Sequence, residues 1–272
     1  MKKLLLLSTI LLGLLFTFSA CEKDKEKEDD IIVIDEPDDT IPTGSIRLKI
    51  DNGFEDELLS TAQEYIVESG DTIKVSMIRY YISNVYLTNE NGDTLKIENS
   101  YYLIDTDGKE IELTNIPTGT YKSLCFGFGV DSSANHDISR NEGDLDPNGS
   151  NGMIWTWSSG YKFLRLEGEF KGDTSQGTFK FHVGGDANYK EVHFGQMMSA
   201  MRTSSEGHST MFSAVVSESK TTEIHLRTNI AEVFKTPNTI DLDVDRQAHG
   251  LSSKIADNYT ENFFELHHVE VQ

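Results

Sequence analysis

The stretch Phe179-Lys180-Phe181-His182-Val183 alternates apolar and polar side chains. Successive side chains of an extended chain point to opposite faces, so the three apolar residues share one face. This period is typical of a strand that packs one face against a core. The same period recurs in three further apolar sets: Ile46, Leu48 and Ile50; Ile73, Val75 and Met77; and Ile224, Leu226, Thr228 and Ile230.

Turn sequences such as Asp105-Thr106-Asp107-Gly108 separate these runs. Many short alternating strands divided by turns predict an all-β fold, an antiparallel β-sandwich with minor short helices. A last strand is expected near residues 263–271. Two segments carry a helical spacing: residues 196–202, and a run in which Leu251, Ile255 and Tyr259 are spaced by four.

The first residues have the pattern of a bacterial lipoprotein leader. Lys2 and Lys3 precede an apolar run over residues 4–16, which has the length of a signal peptide rather than of a membrane span. Phe18-Ser19-Ala20-Cys21 then resembles a lipobox, with small residues directly before the cysteine that would be acylated. We therefore predict a lipoprotein signal peptide over residues 1–20 and lipidation of Cys21. The alternative is an ordinary cleaved signal with an incidental cysteine.

A charged segment follows the cysteine. Residues 22–30 contain no apolar face, and two prolines and four acids occupy residues 35–42. Such a composition cannot bury a core of its own, so residues 21–43 are predicted to be an acidic disordered tether. The β-sandwich domain is then expected over residues 44–272. The acidic run resembles an export signal that places lipoproteins on the outer leaflet, which predicts a surface-exposed outer-membrane lipoprotein of the cell envelope; a plain solvated tether is the alternative.

Charge and cysteine content exclude some partners. The formal net charge is −21, and no basic patch is visible that could bind a phosphate backbone. Nucleic-acid binding is therefore not expected.

The chain has two cysteines, and if Cys21 carries lipid then Cys125 has no disulfide partner. Cys125 lies in the apolar run Leu124-Cys125-Phe126, which favours a buried and inert thiol.

The most unusual composition lies between residues 129 and 185. Both tryptophans of the chain, Trp155 and Trp157, fall in a polar turn that is bounded by glycines, with His136 before it and His182 after it. Tryptophan usually stands where its ring is buried and its N–H has a partner. Two indoles in one loop between two histidines therefore suggest a binding site.

This combination resembles the MbnP-like copper-binding family, envelope proteins named after a methanobactin-associated member. Residues 79–87, Arg-Tyr-Tyr-Ile-Ser-Asn-Val-Tyr-Leu, look like the tyrosine-rich strand of that family. Gly119-Thr120-Tyr121, leading into residues 126–131, looks like the strand that delivers its Asn-His motif. The resemblance covers residues 45–185 well and the remainder loosely.

The resemblance implies a site and a function. His136 and His182 would be copper ligands, and Asp137 could orient the second nitrogen of His136. Trp155 or Trp157 would be oxidised to kynurenine by a dihaem peroxidase-like partner enzyme, or would line the site. Imidazole nitrogen suits copper. The resemblance thus implies a lipid-anchored envelope protein that binds or handles copper without catalysis.

Other interpretations of the same residues remain open. His182 lies on the strand face opposite Phe179 and Phe181, where an isolated histidine is ordinarily a surface residue. The two indoles can simply be packing anchors for their loop. A different class of function is a surface adhesion or glycan-binding sandwich with an aromatic platform, formed by Trp155, Trp157, Tyr161 and Tyr80.

Weaker motifs have simpler explanations. Residues 144–149 match the first half of a calcium loop, but Trp155 stands where such a loop needs a bidentate glutamate, so an acidic loop is predicted. Glu167 and Glu169 alternate as acids do on any solvated strand face. No hydrolase, metalloprotease or phosphate-binding motif occurs, so no enzymatic activity is expected. Met197, Met198 and Met201 are expected as core filler. The histidines that flank them, His193 and His208, are minor candidates for a metal site, whereas His249, His267 and His268 have no dependable spacing partner.

The lipobox gives a direct test. Replacing Cys21 with serine removes the thiol that would carry the lipid, so the variant should move from the membrane fraction to the soluble fraction. Intact-mass measurement of the wild-type protein should show an acyl addition. A variant that stays with the membranes, together with a wild type that lacks the acyl mass, would contradict the prediction.

Overall fold

The computed structural model describes residues 41–155, 160–195, 211–247, 250–260 and 262–272, and the backbone of residues 31–33. Two β-sheets dominate this part of the chain, which confirms the predicted all-β sandwich with minor helices. The smaller sheet has five strands: β2 (Thr43–Phe54), β3 (Glu57–Leu58), β8 (Lys109–Pro117), β14 (Thr221–Asn229) and β15 (Phe264–Val271).

The larger sheet is organised around one long strand. Its ten strands are β1 (Ile31–Val33), β4 (Tyr65–Ile66), β5 (Thr72–Asn89), β6 (Thr94–Lys96), β7 (Tyr101–Ile104), β9 (Gly119–Phe128), β10 (Lys162–Lys171), β11 (Gln176–Gly184), β12 (Lys190–Gly195) and β13 (Ala214–Val216). Strand β5 pairs with β4 and β10 along its first half, and with β6, β7 and β9 along its second half. Strand β11 continues the sheet beyond β10.

Most pairings between the strands described above are antiparallel, as expected, and two of these strand pairs are parallel. Strands β14 and β2 run parallel through the middle of the smaller sheet, and β1 runs parallel to β6. Strand β1 falls within the segment predicted to be a tether. Residues 1–30 and 34–40, and with them Cys21 and the signal peptide, lie outside the described residues.

The helical elements are short. Within the described ranges they are α1 (Ser132–Asn135), α2 (Ser252–Thr260) and the 3-10 turns Asp186–Asn188 and Ile230–Phe234. Helix α2 confirms the helix predicted from Leu251, Ile255 and Tyr259, all three of which are buried. Strand β15 confirms the predicted last strand. The predicted helix over residues 196–202, with its three methionines, lies outside the described residues, as do His208 and His249. No helix in the described ranges is long and apolar enough to cross a membrane.

The main core lies between the two sheets. Phe128 stands at its centre, with its ring centroid 5.4 Å from that of Tyr80, 5.1 Å from that of Phe263 and 5.4 Å from that of Phe264. Phe179 and Phe181 reach the same core from β11 and contact Phe234. Aromatic pairs at these separations stabilise a core beyond the area that they bury.

A second apolar cluster lies on the opposite face of the larger sheet. Because neighbouring residues of a strand point to opposite faces, Tyr80 joins the main core while Tyr81 joins this second cluster, and Leu164 and Phe163 divide in the same way. The segment between β9 and β10 covers the cluster. The buried members of the second cluster are Tyr81, Tyr101, Val130, Ala134, Leu145, Met153, Tyr161 and Phe163.

In strand β5 the apolar alternation predicts the wrong buried residue. Ile73 and Val75 are buried as predicted, but Met77 is only half-buried, and Ile78 takes the core position instead. The register with β10 shifts between Glu167 and Gly168, so that one extra residue of β5 is accommodated there. Such a bulge reverses the in–out order of the residues that follow it.

The central position of Phe128 leads to a stability prediction. The Phe128→Ala change should lower the free energy of unfolding by about 3–5 kcal/mol, because it removes a ring from a closely packed core and leaves a cavity. Urea unfolding followed by circular dichroism measures the loss. Val244→Ala is the matched control: that side chain is 76% exposed, and its removal should change the free energy by less than about 0.5 kcal/mol.

Candidate functional site

The loop after β9 begins at a helix cap. The Asp131 carboxylate accepts hydrogen bonds from the Ser133 backbone N–H at 3.0 Å and from the Tyr101 hydroxyl at 2.5 Å. Burial alone would raise the pKa of Asp131, but the hydrogen bonds from Tyr101, Ser133 and Asn84 outweigh it and lower the pKa. The ionised carboxylate therefore holds the start of helix α1 against the larger sheet.

Asn135, the last residue of α1, ties this loop to two other segments. Its side-chain amide donates to Asp186 Oδ1 at 2.8 Å, and its Oδ1 accepts from the Tyr161 backbone N–H at 2.8 Å. Gly160 approaches so closely that an added Cβ would lie 2.9 Å from Asn135 Oδ1, and its φ of +127° also favours glycine. Asn135 thus joins the loop, the end of β11 and the start of β10.

His136 pairs with Asp186, the same carboxylate that accepts from Asn135. Its Nε2 lies 2.8 Å from Asp186 Oδ2, and the side chain is 66% exposed. Hydrogen bonds from Asn135, Ser132 and His136 lower the pKa of Asp186 to about 2. An ionised carboxylate can only accept, so Nε2 of His136 carries a proton.

The predicted role of Asp137 is wrong. Its carboxylate accepts from the backbone N–H and the hydroxyl of Ser139, and Asp186 takes the place beside His136 instead. Asp186 follows β11, and the sequence pattern alone could not bring it to His136.

His182 lies on the outer face of β11, as predicted, and pairs with a carboxylate of β10. Its Nε2 is 2.7 Å from Glu167 Oε1, which also accepts from Arg165 Nε at 2.7 Å. Burial alone would raise the pKa of Glu167, but the hydrogen bonds from Arg165 and His182 outweigh it and lower the pKa. Burial lowers the pKa of His182, with Glu167 opposing part of the effect. A neutral imidazole with its proton on Nε2 follows.

Trp155 stands beside His182 on a short hairpin. The two ring centroids are 6.2 Å apart, and the indole N–H donates to the Tyr161 carbonyl at 3.2 Å. The Lys162 ammonium lies 5.0 Å from the centroid of the Trp155 ring and donates to the carbonyls of Gly152 and Ile154. Burial lowers the pKa of Lys162. Trp157 lies outside the described residues.

These contacts bring the predicted residues to one end of β11. The loop that carries His136 lies against Asp186, directly beyond the strand that carries His182. The two imidazoles pair with different carboxylates, Asp186 and Glu167. Within the described residues, neither belongs to a group of three histidine, cysteine or acidic side chains whose ligand atoms lie within 4.8 Å of one another. Copper binding by His136 and His182 stays a prediction.

The alternative prediction, an aromatic platform for sugar rings, is wrong. Tyr80 and Tyr161 have no exposed surface, because Tyr80 lies in the main core and Tyr161 in the second cluster. A sugar ring cannot stack on either. Of the four proposed platform residues, Trp155 alone is both described and partly exposed.

The remaining candidates have structural partners. Asp144 accepts from Lys109 and from the Leu103 backbone, and Asp146 accepts from the hydroxyl of Ser150, so both acids of the half calcium loop bind protein donors. Cys125 is buried and free, as predicted, and burial raises its pKa to about 12. His267 and His268 do have a neighbour: they lie beside His225 on the smaller sheet, and these three residues are called the His225 cluster below.

Comparison with known proteins decides the family. The sequence model of the MbnP family matches residues 43–254, which is well over half of the chain. The chain belongs to the MbnP family. MbnP from Methylosinus trichosporium is similar in structure at 14% sequence identity, with a TM-score of 0.46, over 71% of this chain and 78% of the other. No curated protein matches this MbnP-family sequence.

The position of Asn135 gives a test of how the loop is held. Asn135→Ala leaves the buried Tyr161 N–H without its acceptor and removes a donor from Asp186, so the free energy of unfolding should fall by about 1–3 kcal/mol. Chemical denaturation measures the change. Asn148→Ala, an exposed asparagine of the same segment, is the control and should change the free energy by less than about 0.5 kcal/mol. Equal effects of the two changes would contradict the bridging role.

Proposed function

We propose that this MbnP-family chain is a lipid-anchored envelope protein that binds copper at the end of β11 and hands it on without catalysing a reaction. The observation that carries the proposal is the pairing of His182 with Glu167 beside the Trp155 ring. Family membership supports it.

The protonation of His182 favours metal binding. Glu167 accepts the Nε2 proton, so Nδ1 is the nitrogen that can donate a lone pair to a metal. No residue of the described ranges forms a hydrogen bond to that nitrogen. Histidines that bind metals commonly donate their other N–H to a carboxylate, which fixes the ring and raises its basicity. Burial keeps the ring neutral, and a neutral ring is the form that binds metal.

His136 has the same arrangement at its own carboxylate. Asp186 fixes its Nε2 proton, which leaves Nδ1 as the potential ligand atom on a side chain that is open to solvent. The exposed position allows the ring to turn toward an ion that is already held at His182. Imidazole nitrogens suit copper in both of its common oxidation states.

The tryptophans would add a nitrogen ligand for copper only after chemical modification. Oxidation of Trp155 or Trp157 by the dihaem peroxidase-like partner proposed for this family would open the indole ring to N-formylkynurenine. Hydrolysis would then release the formyl carbon as formate and free the aryl amine of kynurenine. Trp155 is placed for this role, because its ring already lies beside His182. The protein supplies position and charge, and the partner supplies the oxidant.

The proposed location rests on the leader sequence. Lipidation of Cys21 would hold the domain at the outer membrane, and the acidic segment behind it would keep the domain away from the bilayer. A net charge of −21 draws cations toward the surface from a distance, although it does not build a site.

Copper binding is tested by a variant comparison. The His136→Ala/His182→Ala variant should lose about one tightly held copper ion per chain, because both lone pairs are removed. The titration is best done in a His267→Gln/His268→Gln background, so that the His225 cluster cannot contribute. Elemental analysis after dialysis gives the stoichiometry, and intact-mass analysis detects the carbon lost and oxygen gained when tryptophan becomes kynurenine.

The matched control is His193→Ala, a half-buried histidine on β12 that should leave the copper content unchanged. Circular dichroism must show the same β spectrum in each variant. If the folded parent protein holds no more copper than the His136/His182 variant, the proposed function is wrong.

A further inference from the structure

A β-bulge brings three histidines together on the outer face of the smaller sheet. His225 of β14 pairs with His268 of β15, whereas the next pair is Leu226 with Leu266, so His267 is an extra residue in β15. Consecutive strand residues normally point to opposite faces, but a bulge alters this order. The ring centroid of His225 is 4.8 Å from that of His267 and 4.9 Å from that of His268.

His225 is held as metal-binding histidines are. The residue is only 7% exposed, and its Nε2 lies 2.8 Å from Asp51 Oδ2 of β2. A carboxylate at neutral pH accepts only, so Nε2 carries the proton and Nδ1 has the lone pair. Nδ1 is buried and has no hydrogen-bond partner among the described residues. A buried acceptor without a partner is unfavourable, and it indicates that a partner is missing.

His268 shows a related arrangement. Its Nε2 lies 3.5 Å from the Glu223 carboxylate, and its Nδ1 lies 2.8 Å from Nδ1 of His267. If Glu223 attracts the Nε2 proton, the Nδ1 lone pair of His268 points toward its neighbour. Two histidines of the cluster, His225 and His268, therefore each have a carboxylate near their Nε2 atom.

We propose that His225, His267 and His268 bind a divalent transition-metal ion of the zinc class, at a site distinct from that of His136 and His182. One nitrogen of each ring lies within 4.8 Å of one nitrogen of each other ring. Tetrahedral zinc with bonds of about 2.0–2.1 Å would place these nitrogens about 3.3 Å apart, which small side-chain rotations can reach. Three neutral imidazoles leave a fourth position for water or for another ligand.

The surroundings suit a cation. Asp51 and Glu223 lie behind the rings, and Glu270 joins Glu223 and His268 in a second group of potential ligands. Two cationic side chains lie beside these carboxylates: Lys49 is 3.6 Å from Asp51, and Arg47 is 3.8 Å from Glu223.

Zinc titration of the full mature chain tests the proposal. Wild type and the His136→Gln/His182→Gln variant should each bind zinc at the cluster, whereas His267→Gln/His268→Gln should lose one equivalent and the rise in thermal midpoint that zinc causes. His193→Gln serves as the control for loss of an unrelated histidine. Because His267 is exposed, the single His267→Gln change provides a well-folded variant if the double change perturbs the strand.

Asp51→Asn separates a metal site from simple packing. An amide holds the His225 proton less strongly than a carboxylate, so zinc affinity should fall by about 10- to 100-fold while the stoichiometry stays the same. A cluster that merely packs would show no change in zinc affinity in any of these variants. Equal zinc binding by folded wild type and the His267→Gln/His268→Gln variant would overturn the proposal, and because the copper test uses other residues, this result would leave the proposed function intact.

Discussion

Hydrogen bonding along strand β5 constrains most of the larger sheet. The strand has 18 residues and pairs with five other strands, so the register of β4, β6, β7, β9 and β10 is set by one segment. Tyr80 and Tyr81 show the consequence: successive buried aromatic residues require apolar cover on both faces of the sheet. The smaller sheet covers one face, and the segment between β9 and β10 covers the other. That segment also carries His136 and Trp155 of the candidate copper site, so the site is part of the packing of the fold.

Three histidines share one local arrangement. His136 with Asp186, His182 with Glu167, and His225 with Asp51 each bring Nε2 within 2.8 Å of a carboxylate oxygen. Each pair joins segments that are distant in sequence or lie on neighbouring strands, and each places a proton on Nε2. In a chain of net charge −21, carboxylates are abundant, but a histidine fixed on one nitrogen is a specific product of the fold.

The sequence predicts those features that depend on local periodicity. Alternation identified the strands around Ile46, Phe179 and Ile224, and the spacing of four residues identified α2. It fails where a bulge changes the order: Ile78 replaces Met77 in the core, and the bulge at His267 creates a cluster that no sequence spacing reveals. The partners Asp186 and Glu167 depend on which strands become neighbours. The burial of Tyr80 and Tyr161 depends on a sheet with two covered faces, which alternation does not encode.

The position of the two candidate sites bears on how they would act. Phe181 and Val183 turn into the core from β11 while His182 turns outward, and Ile224 and Leu226 turn into the same core from β14 while His225 turns outward. The candidate sites therefore lie on the outer faces of opposite sheets, with the whole core between them. Packed sheets are about 10 Å apart before side chains on the outer faces are counted. Sites separated in this way and without shared partners contribute additively, so occupancy of one site should leave the affinity of the other unchanged.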